Sequence, residues 1–185
     1  FLVAQNVAFK SSNFKNDKEG LKAAKETIKI ADKLRRSAIV KMLAIQDADI
    51  VYNEALFYYR KAQKFNPNNA ELNYKIGSSL LFTNQKEFSF SYLKKARELS
   101  EDLPNDFLFY YGMALQLEDE YGKAMEQFEL FRNTAKKKVF EQFEVLTKKY
   151  IKECNSSGSV LEQIHRIWVD NLSVKTEYDE WSPCL

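Results

Sequence analysis

The sequence predicts an all-α protein built as a solenoid of stacked helix pairs. Three observations lead there. Within Tyr52–Leu72, Ala55, Tyr59, Ala62 and Pro67 are spaced as a helix that crosses a neighbour closely and is then stopped. A small residue is needed where two backbones approach, an aromatic fills the gap beside it, and proline ends the unit. Secondly, Gly77, Ser89, Leu93 and Ala96 recur one unit later as Gly112, Ala124, Phe128 and Phe131, with the same internal steps of twelve and seven residues. Thirdly, Pro67 and Pro104 punctuate the units, and Asn84-Gln85 and Glu118-Asp119 mark tight turns between helices.

Taken in order, residues 1–16 form a lead-in whose Phe9 and Phe14 are available to pack on the first helices. Asn16-Asp17 reads as a helix start, because a short side-chain oxygen can accept the first free amides. Helices are expected at about 17–36 and 38–65, then 70–83, 86–99, 105–117 and 121–132. The first unit is irregular: Ala31 and Ala55 lie twenty-four residues apart instead of twelve. The excess, Arg35–Tyr52, holds neither Gly nor Pro, while Ile39, Val40, Leu43 and Ala44 keep helical spacing, so it reads as lengthened helices. A last helix at about 134–153 carries Val139, Phe140, Phe143, Leu146, Tyr150 and Ile151 on one stripe and would close the end of the stack. Residues 17–153 therefore read as one repeat domain. Asn155-Ser156-Ser157-Gly158-Ser159 marks a linker, 154–163, and Ile167-Trp168-Val169 begins a strand-like stretch in 164–185.

The helix spacing resembles that of a tetratricopeptide repeat, about 34 residues long. Phe65–Gly77, with the ending Val169-Asp170-Asn171-Leu172 and Glu177-Tyr178-Asp179-Glu180-Trp181-Ser182-Pro183, also resembles a Bacteroidetes cell-envelope family. Its members combine such repeats with a WD40-like propeller of the PD40 type and an OmpA-like peptidoglycan-binding domain. The resemblance covers about residues 17–183. It implies that 164–185 is the start of a truncated β-propeller. It also implies a periplasmic, outer-membrane-associated scaffold, in some members part of type IX secretion or gliding, with an outer-membrane β-barrel of the PorP/SprF kind as partner. Peptidoglycan binding belongs to the OmpA-like domain, which these residues lack, and is not carried over.

Composition narrows the function classes. Hydrophobic residues make up 45% and charged residues 29%, the balance of a globular chain with a core. A net charge of +2 argues against a dedicated nucleic-acid binder, and the runs Lys33-Leu34-Arg35-Arg36 and Lys136-Lys137-Lys138 read as solvated helix faces. Phe1-Leu2-Val3-Ala4 reads either as the tail of a signal peptide or as an arbitrary start. Cys154 is expected to pack as a small apolar residue, the alternative being a bridge to Cys184. No catalytic group is expected. His165 has no partner at ligand spacing, the five glycines form no phosphate loop, and no nucleophile motif occurs. No metal or cofactor is expected either.

The binding surface expected is the groove lined by the first helix of each pair: Tyr74, Ser78, Leu81 and Phe82 from one, Phe109, Met113, Gln116 and Leu117 from the next. Aromatic and Met side chains there would anchor a peptide or partner helix. The competing reading is that they are core. A terminal-carboxylate clamp is not expected, since Ile28 and Asp32 hold its first two positions. An envelope scaffold is thus the first expectation. A cytosolic co-chaperone or assembly factor, and a repeat module attached to an enzyme, are the others.

Overall fold

The computed structural model describes residues 5–162, with side chains through Ser157. Seven α-helices follow one another among these residues: α1 Lys18–Leu43, α2 Asp49–Phe65, α3 Ala70–Leu80, α4 Ser89–Leu99, α5 Phe107–Leu117, α6 Tyr121–Thr134 and α7 Lys137–Glu162. A single 3-10 turn, Lys86–Phe88, leads into α4. The described residues hold no strand. The expected propeller start at 164–185, His165 and Cys184 lie outside them.

Each helix packs most extensively on its chain neighbour: α1 on α2, α3 on α4, α5 on α6, and α6 on α7. The pairs are joined through α2 on α3 and α4 on α5. Small residues set the close crossings. A Cβ on Gly77 would stand 2.7 Å from Leu93 Cγ and 3.1 Å from its backbone nitrogen, and one on Gly112 would stand 2.8 Å from the Phe128 ring. Ala62 and Ala96 are fully buried at the other expected small positions.

Helix ends follow local chemistry. Asp17 caps α1 by accepting the Gly20 amide at 2.8 Å, and Asn69 caps α3 by accepting the Leu72 amide at 2.8 Å. The expected break near residue 37 is absent: α1 runs on to Leu43, and the chain turns at 44–48 instead. There the Gln46 amide bonds Lys41 O at 2.9 Å and the Ile45 amide bonds Met42 O at 3.0 Å. This is the paired bonding of a left-handed helix terminus, usually built on glycine. Ile45 takes that position at φ 56° while 97% exposed. Asp119, at φ 58°, ends α5 in the same way.

The segment expected as a linker, 154–163, is helical as far as Glu162. Ser and Gly are weak helix formers, but α7 reaches them already propagating from its packed stripe. Buried Cys154 and a Ser156 hydroxyl bonded to Lys152 O at 3.1 Å continue the turn.

Besides a small cluster of Ala38, Ala48 and Tyr52, two cores lie along the stack. Ala24, Ala31, Leu56, Tyr59, Leu72 and Ile76 fill the first. Phe109 centres the second, with ring centroids 4.7 Å from Phe143, 5.7 Å from Phe131 and 6.0 Å from Phe128. The lead-in packs as expected, Phe14 lying 4.8 Å and Phe9 6.5 Å from Phe65. It is also tied by hydrogen bonds to the α2–α3 turn. Val7 O accepts from Asn66 Nδ2 at 2.8 Å and Asn69 Nδ2 at 3.0 Å, and the Val7 amide donates to Asn68 O at 2.8 Å. Asn6 Oδ1 accepts the Ala70 amide at 3.0 Å, so a residue from the lead-in helps cap α3.

Candidate functional site

The expected groove residues divide. Tyr74, Ser78 and Phe109 are buried, Tyr74 with 2% of its surface exposed, and they cannot serve as free anchors. The reason is visible in the helices themselves. α5 carries no charged residue from Phe107 to Leu117, and α3 is buried from Leu72 to Leu80 except at Lys75. A helix apolar on every side is enclosed by neighbours on every side. The lengthened α1 adds to the cover, since Met42 and Leu43 pack on the same core as Phe109. Phe82 is half-buried, its ring stacked 5.0 Å from Tyr52.

Arg35 is the inner-face residue that the sequence did not single out. It belongs to a run expected to be solvated, yet its guanidinium turns inward. Nη2 donates to Tyr74 Oη at 2.9 Å and to Ser78 Oγ at 3.0 Å, and Cζ lies 5.1 Å from the centre of the Tyr74 ring and 5.8 Å from that of Tyr110. Tyr74 Oη in turn donates to Asp106 Oδ1 at 2.7 Å. Tyr59 Oη donates to Asp32 Oδ1 at 2.6 Å, and Lys75 Nζ lies 2.9 Å from the same carboxylate. Arg35 Nε and the hydroxyls of Tyr52 and Tyr110 are buried without a protein partner.

Burial opposes the charge on Arg35, but Tyr74, Tyr110 and Asp106 around it outweigh that effect and hold its pKa above the ordinary range. Burial raises Tyr52, Tyr74 and Tyr110, and for Tyr59 the bond to Asp32 adds to burial. These hydroxyls stay protonated at neutral pH. They can donate hydrogen bonds and orient, but they are no source of a phenolate base or nucleophile.

The open part of the expected surface is a depression of about 360 Å³ walled by Leu81, Met113, Gln116, Leu117, Tyr121 and Tyr150. Of the expected groove residues, Leu81, Met113, Gln116 and Leu117 reach it, Leu81 and Met113 as buried floor and Gln116 and Leu117 at the rim. Leu117 is 42% exposed. Gln116 Nε2 lies 3.3 Å from Glu153 Oε2, which fixes the amide at the rim. The wall from α7 is not legible in the sequence, where Tyr150 falls simply on the closing stripe.

Among the described residues no group of three or more His, Cys, Asp or Glu is placed to hold a metal, and no helix is long and apolar enough to cross a membrane. Cys154 is buried, and burial raises its thiol pKa. Comparison with protein-family models, curated proteins and solved structures finds no match to this chain.

Proposed function

We propose that this chain is the tetratricopeptide-repeat part of a non-catalytic scaffold of the bacterial cell envelope, with α7 closing the stack. The observation that carries the reading is a crossing made twice. Gly77 against Leu93 and Gly112 against Phe128 hold the same phase, which is how a repeat stack is assembled. Such stacks present surface for protein partners. The resemblance in Phe65–Gly77 and in the ending motif supports a periplasmic place beside the outer membrane, an outer-membrane β-barrel of the PorP/SprF kind as partner, and a role in type IX secretion or gliding. Attachment to the cell wall would fall to an OmpA-like domain outside these residues.

The contact surface is the depression rimmed by Gln116 and Leu117, with buried Met113 in its floor, rather than Tyr74 and Phe109. An apolar floor with a fixed amide at its rim suits one anchoring side chain of a partner. The test is capture of an outer-membrane β-barrel from detergent-solubilised envelopes by the wild-type chain and by Leu117→Asp. Exposed Leu117 can change without loss of core, so the melting temperature should stay within a few degrees. Capture should fall at least tenfold. Equal capture by a folded variant moves the contact elsewhere, and failure of the wild type to retain any such barrel removes the envelope reading.

A further inference from the structure

We propose that the exposed face of α1 docks on an anionic lipid surface. This surface is distinct from the partner-binding depression, and the inference rests on α1 alone. Lys18, Lys22, Lys25, Lys29, Lys33 and Arg36 are all exposed. At about 100° per residue these six lie within about 80° of one another around the helix, in a row about 27 Å long. None forms an ion pair among the described residues. The acids of α1 do not neutralise the row. Asp32 is engaged by Lys75 at 2.9 Å, and Glu19 and Glu26 lie beyond one edge of it. The chain as a whole carries only +2, so the positive charge is concentrated here rather than spread. Lys18, Lys22, Lys25 and Lys29 also border a depression of about 380 Å³, with Leu21, Ser11 and the single carboxylate of Glu26 in its wall, so that four cations outnumber one acid there.

A lipid plane suits this row better than other polyanions do. A straight rigid row meets a plane along its whole length, whereas duplex phosphates curve away from it. Single strands are held with aromatic platforms, and the row contains no aromatic residue. A protein interface needs a desolvated apolar centre. Leu21 is only 4% exposed, and Ile30, at 46% exposed, lies on another face about 120° round from Lys18. What remains is a row of charge with one exposed apolar residue, Val40, a turn beyond Arg36 on the same side. That is the chemistry of polybasic attachment, which strengthens by about fivefold in affinity for each Lys or Arg near an anionic surface and is screened by salt.

The experiment is co-sedimentation of the whole chain with vesicles of phosphatidylcholine alone or with about 40% phosphatidylglycerol. Binding is expected only to the anionic vesicles, at 50 mM salt and not at 500 mM. The variant K18Q/K22Q/K25Q/K29Q should lose roughly six hundredfold in partitioning, about fivefold for each lysine. A control, K94Q/K136Q/K138Q/K152Q, removes the same total charge from exposed positions elsewhere and should lose far less. Unchanged circular dichroism melts for both variants keep the comparison about charge. No binding by the wild type at low salt overturns the proposal, as do equal losses in the two variants. So does row-dependent binding to a short DNA duplex or to polyglutamate that outcompetes the vesicles, in favour of nucleic acid or an acidic protein.

Discussion

Tyrosines 52, 59, 74 and 110 look alike in the sequence and differ in what their hydroxyls do. Tyr59 and Tyr74 each donate to a carboxylate, and Tyr74 also accepts from Arg35. Tyr52 and Tyr110 bury a hydroxyl with no partner. Removing a partnered buried hydroxyl leaves its mate unsatisfied and costs about 1–3 kcal/mol, while removing an orphan leaves nothing behind. Tyr74→Phe and Tyr59→Phe should therefore destabilise by that amount in urea unfolding at pH 7. Tyr52→Phe and Tyr110→Phe should be neutral or stabilising. Equal losses at all four positions would mean that the hydroxyl pattern around Arg35 is wrongly drawn. The sequence separates Arg35 from Arg36 only by one helical step: Arg35 shares the inner-face spacing of Ile28, Ala31 and Ala38, and Arg36 does not. That step turns one guanidinium into the tyrosines and leaves the other in solvent.

At the scale of helices, the small residues were legible and the ends less so. Gly77 and Gly112 sit at crossings because no other residue lets the backbones approach as closely, and that constraint appears directly in their spacing. Gly77→Leu should cost about 1–3 kcal/mol or more, because the contact on one side is backbone and cannot move aside; a thermal melt reads it. The end of α1 was illegible for the opposite reason. A left-handed terminus normally announces itself with glycine, and here the position holds Ile45. An L-residue there carries a penalty of about 1–2 kcal/mol, and Ile45 makes no core contact that would be lost. Ile45→Gly should thus raise stability by about 1 kcal/mol, offset in part by the entropy of glycine in the unfolded chain. A fall in melting temperature would show that the turn is held by something other than its hydrogen bonds. The Ser/Gly stretch after Cys154 misled in the reverse sense, since weak local propensity yields to a helix already under way.

For the whole molecule, the all-α class and the pairing of neighbours followed from residues that repeat. The inner surface did not, because it is covered by the part of the chain that departs from the repeat. The extra turns of α1 bring Arg35, Met42 and Leu43 over faces that a regular first unit would leave open. Tyr74 and Phe109 stand on the expected helices, and of the two readings open to them, groove or core, the structure has core. The lead-in has a consequence of another kind. A linear array of units ordinarily frays from its ends. Here the four hydrogen bonds from Asn6 and Val7 join the first residues to a turn some sixty positions further along the chain. A pull on residues 6–8 is therefore delivered to the junction of α2 and α3, behind the first helix pair, before it can peel α1 away. The first unit is loaded as a closed ring and not as a loose end.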